Sequence, residues 1–208
     1  MISDSMILTK EEMVVLMDIL KLSKLPGIQY GLPNVSGSQY ARIAKAFYDS
    51  GALIREGSCL RMDKGMARFL IPLEKCRKIL LCSTGENGIS TSRIGVYFAS
   101  QGAVALREVD DERLEFLWIG SAAELMLLLP ALRPGAATVH SSHWLFTEEA
   151  ATACVATLAP RAELVEIIES RRENGEAQAR ENRFTRSPGD YAAWWKNRLK
   201  EVYHVSDR

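Results

Sequence analysis

"ILLCSTGENGISTSRIGVYFASQGAVALREVDDERLEFLWI", residues 79–119, decides the fold class. It opens on the compact apolar run Ile79-Leu80-Leu81-Cys82, which stops at Thr84-Gly85-Glu86-Asn87-Gly88. Ile94, Val96 and Phe98 then alternate with smaller or polar residues, a period of two that suits a strand rather than a helix. Ala103–Val109 and Arg113–Ile119 follow as two further strands, separated by the turns Ser100-Gln101-Gly102 and Asp110-Asp111-Glu112. Strands joined by links this short pair antiparallel, because a parallel return needs a long crossover. The spacing therefore predicts a meander.

Helical signals lie on both sides of it. Thr9-Lys10-Glu11-Glu12 fits a capping box, and Met13, Leu16, Met17 and Leu20 recur at helical spacing, predicting a helix over 9–22. Pro26, Gly27, Gly31, Pro33 and Gly37 mark a loop up to Ser38, which can cap a second helix carrying Tyr40, Ile43, Ala44 and Phe47 on one face. Gly51 suits the left-handed end of that helix. Residues 52–62 then read as a hairpin with its turn at Glu56-Gly57-Ser58, and Asp63 opens a short helix.

Beyond the meander, Ser121 begins a near-continuously apolar helix that Pro130 ends, implying burial against the sheet. Thr147-Glu148-Glu149 is expected to start another helix, closed at Pro160. In residues 161–186, Leu164, Ile167 and Ile168 suit a helix, but Asn174-Gly175 is the stronger signal and favours two strands flanking that turn. The segment DYAAWWKNRLKEVYHV closes the chain as a helix. No internal repeat is visible. The expectation is an α+β protein with a central antiparallel β-sheet: one domain, 1–208, with a helical, winged-helix-like N-terminal segment over 1–73. Residues 74–208 supply the sheet, its packed helices, and a C-terminal hairpin and helix.

Composition narrows the function. At 47% hydrophobic and 25% charged residues the chain is ordinarily globular, and 26 Lys plus Arg against 26 Asp plus Glu give no basic excess to attract phosphates. A nucleic-acid partner is not expected. MISDSMILTKEE lacks a basic region followed by an apolar run, and no stretch approaches the roughly 18 apolar residues of a membrane span, so the expected location is cytoplasmic. Cys59, Cys76, Cys82 and Cys154 have no CxxC spacing and read as reduced structural thiols.

Each candidate for chemistry has a plainer reading. His140 and His143 in VHSSHW could share a metal if helical, but the stretch looks like loop or strand and has no HExxH, so surface or capping histidines are expected. No GxSxG elbow is present, and STGENGIS lacks the GxGxxG or GxxxxGK of a phosphate loop, leaving a hairpin loop. No catalytic residue, cofactor or metal is expected. Tyr191, Trp194, Trp195 and Arg198 lie near one side of the last helix, where the rings serve either core packing or a groove for a partner; they are the candidate partner-binding residues.

Several fold signatures occur together: LTKEEMVVLMDIL and KLPG, a helix leading into DSGAL, an Asp-led helix ending in IPLEKC, and a meander finishing in LLLPALRPG. From about residue 8 to residue 186 this ordering resembles the EspG-like chaperones of ESX, or type VII, secretion. The resemblance implies a non-enzymatic α+β protein that holds the tip of a helical-hairpin secretion substrate through sheet loops and its C-terminal helical region. This chain ends in a Trp-rich helix where members of that family carry an Asp-Gly-Arg-Tyr-like ending. The alternatives are a winged-helix regulator, for which Gln39, Arg42, Lys45, Arg55 and Arg61 would have to meet DNA, and an enzyme of another class.

Overall fold

The computed structural model describes residues 4–22, 31–57, 59–100 and 102–204. In chain order the elements are β1 (Ser5–Thr9), α1 (Lys10–Ile19), α2 (Gly37–Asp49), β2 (Leu53–Glu56), β3 (Cys59–Met62), α3 (Lys64–Lys75), β4 (Lys78–Glu86), β5 (Ile89–Ala99), β6 (Gly102–Glu108) and β7 (Arg113–Ile119). They continue with α4 (Ala122–Leu128), β8 (Val139–Phe146), β9 (Ala150–Leu158), β10 (Val165–Glu173), β11 (Arg180–Arg186) and α5 (Pro188–His204). Nine strands form one sheet in the order β1-β7-β6-β5-β4-β8-β9-β10-β11, every pairing antiparallel, and β2-β3 is a separate hairpin. The fold is α+β, as the alternation predicts.

Its arrangement repeats. Strands β4 to β7 form a meander followed by α4, and β8 to β11 form a second meander followed by α5. The two meet where β4 lies antiparallel to β8, with Ser83 opposite Ser142 and their hydroxyls hydrogen-bonded at 2.7 Å. An approximate two-fold axis passes there. The repeat is one of architecture; side chains at matching positions differ enough to hide it in the sequence.

Two apolar layers sandwich the first meander. On one face, Leu80, Val96, Phe98, Ala105, Leu117 and Ile119 pack with Leu125 of α4 and with Tyr191, Trp195, Leu199 and Val202 of α5. On the other, Tyr97, Val104, Leu106, Leu114 and Phe116 meet Met13 and Leu16 of α1, Phe47 of α2 and Phe69, Leu70 and Leu73 of α3. Alternate residues of β5, β6 and β7 go to opposite layers, so both parities are buried and the strands read as long apolar runs. The second meander uses one parity only: Cys154, Ala156, Leu158, Val165 and Ile167 join the α5 layer.

Local chemistry sets the ends. The Thr9 hydroxyl accepts from the Glu12 amide while the Glu12 carboxylate accepts from the Thr9 amide, completing the predicted box. The second helix is capped by Ser36, not Ser38, again in a reciprocal box with Gln39. Gly51 adopts φ 76°, as its position requires. The break after Cys82 is shorter than expected: β4 runs on to Glu86, and only Asn87 and Gly88, at φ 50° and 83°, form the turn. Residues 5–9 add an edge strand that the sequence did not announce.

The largest departure is at residues 150–158, a strand instead of the expected helix. The Thr147 hydroxyl accepts from the amides of Glu149 and Ala150, the same hydrogen bonding that caps a helix, here closing a hairpin turn. Ala and Thr on both parities leave the period ambiguous until neighbouring strands impose it. The 161–186 hairpin is as predicted. Gly175 takes φ 92°, and the Asn174 amide donates to the Glu149 carbonyl at 2.9 Å, tying this turn to the preceding one.

Gly85 sits at a bulge, where a Cβ would lie 2.3 Å from the Ile89 carbonyl oxygen and 2.5 Å from the His140 ring. Gly85→Ala is expected to lower stability by about 2 kcal/mol or more, seen as an earlier urea midpoint, since neither strand can yield without breaking ladder bonds.

Candidate functional site

The tail helix places its predicted binding residues inward. Tyr191 and Trp195 are 1% and 3% exposed, and the Trp195 indole N–H donates to the Leu129 carbonyl at 2.9 Å, fastening α5 to the end of α4. Tyr191 shares a 3.4 Å hydrogen bond with Ser141, and burial pushes its hydroxyl up to about 12. Trp194 is half-buried, edge-on to Phe184 at 5.9 Å and under the Arg186 guanidinium, which bridges α5 to β11. Arg198 pairs loosely with Glu169 and Glu201 at 3.8 and 3.9 Å. These four residues form one cluster, but the two most deeply set rings are core. Their side of the helix faces the sheet, where Tyr191 and Trp195 join Cys154, Ala156 and Val165 of the second meander.

The histidines separate. Three positions apart on a strand, His140 and His143 project to opposite faces of β8 and cannot share a metal. Among the described residues, no group of three or more His, Cys, Asp or Glu side chains is placed to hold a metal ion. His143 corrects the expectation of surface or capping histidines: it is 7% exposed and its ring lies 3.9 Å from that of Trp195. Desolvation lowers its pKa to about 3, so the imidazole is neutral near pH 7. Cys76, Cys82 and Cys154 are free thiols; burial pushes Cys82 up and Cys154 up to about 12, which keeps both protonated and poorly nucleophilic.

The surface that remains is the other face of the second meander. Trp144 and Phe146 on β8 and Val155 on β9 are 45%, 36% and 37% exposed, and Ile168 on β10 is half-buried beside them. The ladder sets their neighbours: Trp144 lies between Leu81 and Ala153, Phe146 between Ile79 and Ala151, and Val155 opposite Ile168. The Trp144 and Phe146 rings stack side by side, centroids 6.5 Å apart and planes 11° from parallel. Small residues around them (Ala151, Ala153, Ser142, Ser83) make a shallow floor from which the two rings stand out. On the first meander the same face is covered by α1, α2 and α3.

Sequence reasoning missed this patch. The signal was the alternation of His143 inward and Trp144 outward within VHSSHWLF, and reading 147–160 as a helix removed the partner strand that turns alternation into a face.

On the N-terminal segment, Lys45 pairs with Asp49, Arg61 with Glu56 at 3.1 Å, and Arg55 donates to the Gly57 carbonyl. Three of the four cations proposed for DNA contact, Lys45, Arg55 and Arg61, thus have partners within their own segment. Among the described residues no helix is long and apolar enough to cross a membrane. No family model matches the chain, and no curated protein matches it in sequence.

Trp195→Ala is expected to cost about 3–5 kcal/mol, the range for truncating a core aromatic, while Trp144→Ser should stay within about 1 kcal/mol. Chemical denaturation of both variants checks the assignment of one ring to the core and the other to the surface.

Proposed function

We propose that the protein is a non-enzymatic, cytoplasmic protein-binding module whose role is similar to that of EspG-like type VII secretion chaperones, with a helical-hairpin substrate seated on the open face of β8, β9 and β10. The single observation that carries this reading is the pair of exposed, parallel rings Trp144 and Phe146, set with Val155 and Ile168 on a sheet face that no helix of the second meander covers. Large apolar residues grouped on a surface mark a contact surface more often than isolated ones do. Aromatic rings bring large contact area at little conformational cost.

The internal two-fold supports a helical occupant. The corresponding face of the first meander is covered by the apolar stripes of helices, Met13 and Leu16 of α1 and Phe69, Leu70 and Leu73 of α3. The same face of the second meander, carrying Trp144, Phe146, Val155 and Ile168, suits a helix pair from another chain. Ile79 links the two, packing against the covered layer while pairing in register with Phe146 of the open one. The chemistry of the interior fits a binder better than a catalyst: protonated thiols, a neutral histidine without an acid to orient it, and polar groups spent on fastening α5.

The winged-helix alternative would need the exposed cations of α2 and the β2-β3 hairpin to be available to phosphates, whereas Lys45 and Arg61 are paired. Coexpression with helical-hairpin substrates of type VII systems tests the reading. A one-to-one complex should copurify with the wild type and be weakened at least tenfold by Trp144→Ser with Phe146→Ser, the thermal midpoint staying close to that of the wild type. No complex with any such substrate, or a complex that the double variant leaves intact, would sink the proposal; salt-sensitive retention of duplex DNA would replace it.

A further inference from the structure

Helix α5 is held at three points: to the second meander through Ser141 and His143 of β8, and to the first half through Leu129 at the end of α4 and Lys78 of β4. Near its start, Tyr191 meets Ser141. At its middle, Trp195 lies against His143 and donates to the Leu129 carbonyl. At its end, the buried Lys78 ammonium donates to the Val202 carbonyl while sitting 4.5 Å over the Phe98 ring, which satisfies the negative end of the helix dipole. The middle point differs from the others. His143 is buried, its Nδ1 has no hydrogen-bond partner among the described residues, and an indole ring covers it.

We propose that the His143–Trp195 contact makes α5 an acid-released latch: protonation of His143 frees the helix and opens the second meander while the first stays folded. The groups facing the imidazole explain why. From β4 comes Cys82 and from β9 Cys154, each its direct cross-strand neighbour; both are neutral thiols. From α5 come Tyr191 and, one turn beyond Trp195, Arg198, a cation. The nearest carboxylate from β10, Glu169, is engaged with that Arg198. An imidazolium here would have no anion beside it, and an unpaired buried charge is among the costliest changes a core can suffer.

The two meanders answer this differently. The first is clamped between α4 and α5 on one face and α1 to α3 on the other. The second has α5 as its cover on one face and an open surface on the other, so loss of α5 leaves β8 to β11 with both faces wet. Sheets need at least one buried face to persist. The sign follows from the buried, neutral imidazole: its folded pKa, near 3, lies below the ordinary 6.5, so its contribution to stability is whole above pH 6.5 and is lost as pH falls from there toward 3.

Hydrogen exchange of the full chain between pH 8 and 4, corrected for intrinsic rates, tests the latch. Amides of 188–204 and of β8 to β11 should lose protection below about pH 6, at least one unit before those of β4 to β7. His143→Phe keeps a ring against Trp195 and removes the proton, and should move the α5 transition down by about one pH unit. An unchanged midpoint in that variant, or simultaneous loss of both meanders, would overturn the proposal. If the variant does not fold, the His143 Cε1 proton resonance of the wild type decides: a flat shift through pH 6.5 in the folded protein supports the latch, and an inflection near 6.5 refutes it.

Discussion

The antiparallel pairing of β4 with β8 is the contact on which the rest of the structure depends. It joins two meanders that would otherwise be separate sheets, of five strands with β1 and of four, and makes one sheet of nine strands. Because a strand's side chains alternate with period two, the register of this one pair decides which residues of the second half meet α5 and which face outward. Leu80 opposite Leu145 and Cys82 opposite His143 fall on the helix side; Leu81 opposite Trp144 and Ile79 opposite Phe146 fall on the other. A slip by one residue would bury Trp144 under α5 and expose His143. The hydroxyl pair Ser83–Ser142 sits at the centre of that register.

From this pairing comes an asymmetry within an approximately symmetric frame. Each meander is followed by a helix on the same face, so α4 and α5 share one continuous apolar layer. Only the first meander receives the N-terminal helices on its second face. The apolar rings that the second meander presents lie on the face that, among the described residues, helices cover only over the first meander. Burial of such surface is favourable by roughly 25 cal/mol for each Å² removed from water, which gives any suitably shaped partner a driving force without a single special residue. The edge beyond them is protected differently: β11 carries Arg180, Glu181 and Arg183, charges that discourage another strand from adding there.

Polar groups inside the molecule serve attachment. Lys10 reaches Glu108 at 2.6 Å across the first meander, Lys78 closes the end of α5, and Ser141 with Tyr191 closes its start. Lys10, Lys78, Ser141 and Tyr191 are each buried with a partner, as low-dielectric surroundings demand. His143 is the exception in this set, its Nδ1 unpaired beneath Trp195. The same burial that makes α5 a firm lid at neutral pH makes one of its fastenings conditional on proton activity.

Much of the fold was legible from residues 79–119 and their flanks. Period-two alternation, turn residues and capping boxes are local, and local hydrogen bonding enforces them whatever the rest of the chain does: the Thr9–Glu12 box, the left-handed Gly51, the strands of the meander apart from the longer β4, and the hairpin about Asn174-Gly175 stand where they were read. Residues 150–158 were misread because a Thr that caps a turn and a Thr that caps a helix offer the same hydroxyl to the same amides, and alanines fit either period. Tyr191, Trp194, Trp195 and Arg198 were correctly grouped, but a helix's sequence shows which residues share a side and not what that side meets. That choice belongs to tertiary structure. Which sheet face is covered, and hence that Trp195 is core while Trp144 stands in the open, depends on strand pairings between residues some sixty positions apart, where the energy is in shared burial and leaves no local trace.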